Sequence, residues 1–543
     1  MGWEQNYDPL ASAFASTLCA GLPILALLSA LGLLRIRAHW AALLGLVCAL
    51  VVAVLVFHMP GPMAFESAVL GAAYGLLPIG WIVLNVIFLY EIADSQGLLA
   101  VLRDRLAAVT GDRRLQLLLI AFCLGAFFEG AAGFGTPVAV TSVILMGLGF
   151  SPLAASSLSL IANTAPVAFG ALGTPIVALQ ASTKLDLFDL SDMVGRQLPF
   201  FSILIPFWLV TAFVGWRGMV AIAPAIFVAG AVFALVQFLV SNLHGPWLVD
   251  VVAAAASAVA LIAFLKVWQP RDVASAETTH VEPAAERPQW QAFAPWIILC
   301  VAVFLWGLPQ IRAALDAVSS FKIPFAGLDG LSLRMPPVVP APHPESAVFN
   351  FNWLSSTGTG ILVAALLSGA VLKLSPLMLL RFFGRALHRV RHSLATIAAM
   401  VALGFVTRYA GLDATLGLAF ARTGVLYPFF GAMLGWLGVA LTGSDTASNV
   451  LFGGLQTISA GQLGLNPTLM AAANSSGGVM GKMIDAQSIV VASVATGFVG
   501  QEGTILRRVF LHSLALAILV GLLVMLQAYV LPFSLMAPGR GGG

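Results

Sequence analysis

The chain has 543 residues, 60% of them hydrophobic and 9% charged, with a mean hydropathy of +0.98. This composition excludes a soluble globular enzyme and leaves an all-α polytopic membrane protein, each crossing needing roughly 20 apolar residues. The net charge of +3 is spread thinly, without a basic tract for nucleic acid or anionic lipid.

The first nine residues carry Glu4 and Asp8 but no Lys or Arg, and the apolar run 11–34 is too long for a cleaved signal core. It reads as a first membrane helix, followed by spans over 38–57 and about 69–92. Arg35, Arg37 and the four arginines of 103–114 alternate with the segment 58–62, which has neither Lys nor Arg. The positive-inside rule puts those arginines in the cytoplasm and the N-terminus outside.

Next comes Ala126-Phe127-Phe128-Glu129-Gly130-Ala131-Ala132-Gly133-Phe134-Gly135-Thr136-Pro137, between apolar runs 115–124 and 138–150. A carboxylate at membrane depth is costly and marks a functional site by default. The glycines and proline around it predict a broken helix, tolerated only where protein or a cavity covers it. The bland alternative is a glycine-rich helix contact with Glu129 hydrogen-bonded or snorkelling. A second broken helix is predicted over 156–176, where Asn163-Thr164-Ala165-Pro166 precedes Gly170, Gly173 and Pro175. A polar loop over 184–192, placed outside, and spans over 200–216, 219–240 and 248–265 complete a first half, 1–268.

Residues 269–291 read as a cytoplasmic linker rich in Ala, Pro, Glu and Arg. The second half, 292–543, opens with a span over 293–308 and a proline-rich loop over 309–351. A span over 360–374 precedes the basic stretch 381–392, read as a cytoplasmic helix on the membrane surface. A span over 393–410 follows, then polar, glycine-rich regions at 435–455 and 466–499, and a last span over 509–531.

Leu441-Thr442-Gly443-Ser444-Asp445-Thr446-Ala447-Ser448-Asn449 matches the Glu129 stretch in kind, and Asn474-Ser475-Ser476-Gly477-Gly478 reads as its Asn-containing break. Glu129 and Asp445 are 316 residues apart, Asn163 and Asn474 311 apart, the near-constant offset of an internal repeat. By span counting, the first hairpin is entered from the inside and the second from the outside. That is an inverted repeat, with the substrate site between the halves near the midplane.

Helix breaks present free N–H groups and positive dipole ends, which suit a small anion. Gly133, Gly135, Thr136, Asn163, Thr164, Ser444, Thr446, Asn474, Ser475 and Ser476 form the predicted substrate-binding set, with Lys482 to neutralise a carboxylate. Glu129 or Asp445, withdrawn from water, could carry a coupling proton. Glu129 has almost wholly apolar neighbours, whereas Thr442, Ser444, Thr446 and Ser448 would solvate Asp445, so Glu129 is the choice for the proton. Lys482, Arg196 and Arg408 read equally well as cations at span ends. Gly481-Lys482 lacks the preceding strand and glycine of a phosphate-binding loop. The four cysteines and eight histidines are scattered, so no metal, cofactor or catalytic cluster is expected.

These residues resemble the L-lactate permease family of bacterial transporters. The resemblance rests on the Glu129 stretch extended to Gly125 and Ala139, on Asn163 to Gly170, and on Met193-Val194-Gly195-Arg196-Gln197-Leu198-Pro199. Gly435-Trp436-Leu437-Gly438, Leu441 to Asn449 and Ala473 to Ser488 extend it towards the C-terminus. It implies proton-coupled uptake of L-lactate, D-lactate and often glycolate, through 12 to 14 spans in the bacterial inner membrane. Arg408 stands where the family pattern suggests a smaller polar residue. The residues alone also allow a sodium-coupled carboxylate carrier; a membrane enzyme or a passive channel finds no cofactor site, charge ring or filter repeat.

Overall fold

An apolar run in lipid must satisfy its own backbone hydrogen bonds, so it becomes a helix. The computed structural model describes residues 2–32, 34, 36–98, 101, 109–131, 133, 136–270, 289–498 and 501–538. Most of the expected linker 269–291 lies outside the described residues. The first helices are α1 (Ala13–Gly32), α2 (Ala38–Leu55), α3 (Gly61–Tyr74) and α4 (Trp81–Ser95), with a π-helical turn at Gly75–Gly80 between the last two. α5 (Arg113–Ala131) and α6 (Thr136–Gly147) flank the Glu129 break. α7 (Pro152–Ala162) and α8 (Gly170–Thr183) follow, bent by 66° across their junction. α9 (Leu187–Gln197), α10 (Pro199–Ala221), α11 (Ala223–Leu243) and α12 (Val249–Leu265) complete the first half.

The second half runs through α13 (Gln289–Gly307), α14 (Pro309–Ser319), α15 (Thr357–Val371), α16 (Pro376–Tyr409) and α17 (Leu412–Ala421). It ends with α18 (Tyr427–Thr442), α19 (Asp445–Gln462), α20 (Pro467–Gly481), α21 (Ala486–Ala495) and α22 (Glu502–Tyr529). Large apolar side chains such as Phe14, Trp40, Trp216, Leu243 and Leu511 face outwards, while Gln237, Asn449 and Asn474 are buried. This is the inside-out polarity of a protein solvated by lipid. Among the described residues, eight helices are long and apolar enough to cross a membrane, or up to ten with each bent pair as one. The expected 12 to 14 spans exceed this number; six further apolar helices have only 10–17 residues.

Several expectations need correction. The loop over 184–192 is mostly helix α9, because Asp186 accepts the N–H groups of Phe188 and Asp189 and starts a new helix. The basic stretch 381–392 is continuous with the span after it: α16 has 34 residues, about 51 Å at 1.5 Å per residue. Nothing in its sequence between Arg381 and Ala410 breaks a helix. α17, passed over in the sequence, stands between α16 and the second hairpin. The helix does not break at Asn474–Gly478 either; α20 runs unbroken to Gly481, and the break falls at Lys482–Asp485.

The region 309–351 is folded and adds a few short strands to a chain that is otherwise the expected all-α membrane protein. β1 (Trp3–Glu4) pairs parallel with β3 (Ser332–Arg334), which pairs antiparallel with β4 (His343–Pro344). β2 (Ser320–Pro324) and β5 (Val348–Asn352) form a hairpin, with Lys322 opposite Asn350. These strands form a cap. Gln5 Nε2 donates to Tyr409 O at 3.0 Å, Gln462 Nε2 to Pro337 O at 2.8 Å, and Asn466 Nδ2 to Pro538 O at 2.7 Å. Glu345 binds the cap to α16, ion-paired to Arg334 and, at 2.8 Å, to Arg408; Arg408 also donates to Ser182 O at 3.1 Å. Arg408 is therefore a structural cation. So is Arg196, which binds Asp192, Asn242 and Met536 O. The opposite face is basic: Arg389 pairs with Glu91 at 2.7 Å and His39 stacks on His392.

One turn occurs twice, as Leu148-Gly149-Phe150-Ser151-Pro152 and Leu463-Gly464-Leu465-Asn466-Pro467, 315 residues apart. Each has glycine at positive φ, +82° and +65°. Each closes on the residue after it, Phe150 N–H to Leu145 O and Leu465 N–H to Ala460 O. Each then starts a helix with a side-chain cap followed by proline. The second turn touches the cap. The first lies at the far end of the broken span whose other end, Ser182, meets Arg408. Arg113, at the start of α5, sits over the Phe150 ring at 5.8 Å, so α5 and α6 leave and return to the basic face. Tyr427, at the start of α18, donates to Gln456 Oε1 at 2.7 Å near the end of α19, so α18 and α19 form a second re-entrant pair.

Burial pushes the Glu345 carboxyl up, but the Arg408 and Arg334 guanidiniums outweigh it and hold the group below its ordinary value. Its stabilising contribution is complete above the ordinary carboxylate value and is lost as pH falls through the lowered one. Glu345→Gln leaves two buried cations unpaired and is expected to cost about 3 kcal/mol. Thermal unfolding in detergent checks this: below about pH 4 the wild-type midpoint falls towards that of the variant.

Candidate functional site

Glu129 lies in the last turn of α5, 4% exposed, and its Oε2 has no hydrogen-bond partner. The chain then turns through Gly133 at φ +58°, where Gly133 packs on Ala171 and on Glu129. Gly170, first residue of α8, must be glycine: a Cβ there would stand 2.7 Å from Glu129 Oε1. Asn163, the residue after α7, is buried and faces Glu129, but its amide atoms lie outside ordinary hydrogen-bond geometry. Thr164 is turned back to Leu160 O at 3.4 Å. Gly135 lies outside the described residues; Thr136 is the first residue of α6. The tip of the first hairpin thus meets the break between α7 and α8.

The second half repeats this meeting with other residues. Gly443, at φ +74°, breaks the chain between α18 and α19, and Ser444 caps α19 by accepting the Ala447 N–H. Asp445 is buried in the first turn of α19. Its Oδ2 accepts Ser475 Oγ at 2.5 Å and Asn449 Nδ2 at 3.2 Å, and its Oδ1 has no partner. The expected solvation by neighbouring hydroxyls does not occur: Thr442 donates to Gly438 O and Ser448 to Gly435 O, since hydroxyls near a helix end serve their own backbone. Thr446 is buried without a described hydrogen bond. Asn474 donates to Asn449 Oδ1 at 2.9 Å and accepts from Gln456, holding α20 to α19. Ser476 Oγ is buried and unpartnered. Lys482 donates to Gly443 O at 2.6 Å and lies 3.4 Å from Asp485, which caps α21 through the Ser488 N–H. The hairpin tip is thereby tied to the break between α20 and α21.

The two clusters adjoin. Asn449 Nδ2 donates to Pro175 O at 3.1 Å, and Glu129 lies within the field of Lys482 and Asp485. The second arms α6, α8, α19 and α21 all begin at breaks, so four helix N-termini with their positive dipole ends lie inside the protein. Asp445 and Asp485 stand at two of them, Asp485 as the cap of α21. Such a centre holds an anion best where a carboxyl has taken up a proton, and orphaned polar atoms at Asn163, Ser476 and Asp445 remain to contact it. Sequence reading passed over Asn449, Gln456 and Asp485 as site residues. Asp485 was recoverable, since an Asp just before an apolar helical run is a helix-start signal; the other two lie inside helices and gave no signal.

Close approach sets the geometry of the second cluster. A Cβ on Gly478 would collide with Asp445 Oδ1, whereas one on Gly503 meets nothing within 4 Å. Gly478→Ala is expected to destabilise by about 1–3 kcal/mol through overpacking, and Gly503→Ala to leave the thermal midpoint in detergent unlowered.

A family profile described as L-lactate permease matches residues 16–531. An L-lactate permease of Salmonella typhi is 44% identical over 98% of this chain and 99% of its own length. The glycolate permease GlcA of Escherichia coli is 43% identical over 97% and 98%, and an L-lactate permease of Bacillus subtilis 43% over 99% and 100%. Among solved structures, the Neisseria gonorrhoeae transporter MtrF is 15% identical with a TM-score of 0.44, covering 85% of this chain and 83% of that one. With a family profile over nearly its whole length and end-to-end relatives above 40% identity, this chain belongs to the L-lactate permease family.

Proposed function

We propose that the protein takes up 2-hydroxymonocarboxylates, L-lactate, D-lactate and glycolate, across the bacterial plasma membrane together with protons. The observation that carries this reading is the meeting of two re-entrant tips and two broken spans around buried carboxyls and inward-facing helix N-termini. The names of the relatives support lactate and glycolate as cargo. The turn repeated at opposite faces, 148–152 and 463–467, supports an inverted repeat between residues 1–268 and 292–543. The arginines of the basic face support a cytoplasmic assignment for it and an outside cap and N-terminus.

Coupling follows from competition for one field. A substrate carboxylate and an ionised Glu129 or Asp445 repel each other and draw on the same dipole ends. Protonating the side chain therefore strengthens anion binding, and by linkage the anion strengthens proton binding. Glu129, with an unpartnered oxygen, is our choice for the proton; Asp445, held by Ser475 and Asn449, positions hydrogen-bonding groups around the substrate. The tripeptide Asn474-Ser475-Ser476 and Lys482 provide donors on the far wall.

In cells lacking other carriers, uptake of labelled L-lactate is expected to rise as external pH falls, collapse with a protonophore and be blocked by D-lactate and glycolate more than by acetate. Uptake that survives the protonophore but requires sodium would replace the coupling ion. Glu129→Gln is expected to cut gradient-driven uptake by about a hundredfold and to flatten its pH dependence; a wild-type rate with an unchanged pH profile would move the proton elsewhere.

A further inference from the structure

A third buried carboxylate, absent from the set above, stands against the first hairpin. Asp250 is the second residue of α12, just after the connection 244–248 on the cap face. It is 1% exposed, and neither carboxyl oxygen has a hydrogen-bond partner. Although it lies in the first turn of a helix, it caps no backbone N–H there. Its backbone packs directly on the Glu129 turn: a Cβ on Gly130 would stand 2.8 Å from Asp250 Cβ and 2.9 Å from Val251 N. The carbonyl of Pro246, four residues earlier, presses on Gly173 at the kinked start of α8. The two glycines let α12 approach the hairpin tip and the break at once.

No cation pairs with Asp250 among the described residues, and the charged group acting on it is Glu129 from α5. α11, packed along α12, offers no charged side chain, and Lys482 and Asp485 act on Glu129 from the other side. Asp250 itself has no counter-ion, and a second negative charge beside Glu129 is costly in these surroundings, so a proton held by either carboxyl relieves the other. A residue present for packing would make a hydrogen bond or be apolar; Asp250 does neither.

We propose that Asp250 shares the transported proton with Glu129, lying between the cap-face connection 244–248 and Glu129 and so passing the proton to it from that face. The proposal rests on the reading of the chain as a proton-coupled carrier. The two carboxyls share no hydrogen bond in this structure, so the transfer follows a turn of the side chains towards each other: the Asp250 O–H bond then breaks as an O–H bond forms on the Glu129 carboxylate, and no other group changes charge.

The test uses the full-length protein in proteoliposomes, with L-lactate as probe and an internal pH dye. Wild type, Asp250→Asn, Asp250→Glu and the double variant Asp250→Asn/Glu129→Gln are compared over a range of pH. Size-exclusion profiles in detergent report folding. For Asp250→Asn, gradient-driven uptake is expected to fall about a hundredfold and lose its pH dependence, while the ratio of lactate exchange to net uptake rises. Asp250→Glu is expected to restore pH-dependent uptake. The double variant is expected to be no slower than Glu129→Gln alone, because the pair acts as a unit. Asp250→Asn uptake with the wild-type pH profile would overturn the proposal. So would exchange and net uptake falling in equal proportion, or a failure to fold that Asp250→Glu shares. Wild-type lactate uptake without proton movement would instead refute the proton coupling itself, and that arm does not depend on any variant.

Discussion

A helix that stops in the middle of a membrane leaves backbone N–H and C=O groups with neither a helical partner nor water. Among the described residues, such stops occur at the two hairpin tips and at the two breaks they meet, and much of the architecture exists to cover them. Each re-entrant tip is pressed against the break of the span that follows it, and glycines make the approach possible where any side chain would collide. The cost of the breaks is met by mutual burial, and what remains exposed to the centre is a set of dipole ends and carboxyls.

The two clusters are related but not equivalent. Glu129 closes the first arm of its hairpin, whereas Asp445 opens the second arm of its own, so the two carboxyls stand on opposite sides of the break. Asp445 is caught in a network with Asn449, Ser475, Asn474 and Gln456, and Lys482 bolts the second tip to its span. The first tip has no such bolt among the described residues; it meets unpartnered Asn163 and glycine surfaces. The first cluster is therefore the one freer to change its protonation and contacts.

Much of this was legible in the sequence. A carboxylate between glycines in an apolar run is rare enough to stand out, and Glu129 and Asp445 both mark real breaks. The offset between Asn163 and Asn474 misled in detail, because α20 carries Asn474 through an unbroken helix; the recurring feature of the structure is the pair of Leu-Gly-x-x-Pro turns, whose short length hides them from a search for polar residues. The cap was illegible for another reason. Its strands are two to five residues long and are held by partners hundreds of positions away, such as Gln5 with Tyr409, which no local pattern encodes. Arg408 looked anomalous only because its partner Glu345 lies in that same cap.

α16 runs unbroken from the basic face to the cap and is pinned by ion pairs in its first half and at its last turn, Arg389 to Glu91 and Arg408 to Glu345. It has no hinge at mid-depth, while the paired arms around it do. The helix thus acts as a mast that keeps the two faces at a constant separation. Any opening of the centre to one side must come from the broken arms sliding or tilting along this mast, not from the frame shortening around the cargo.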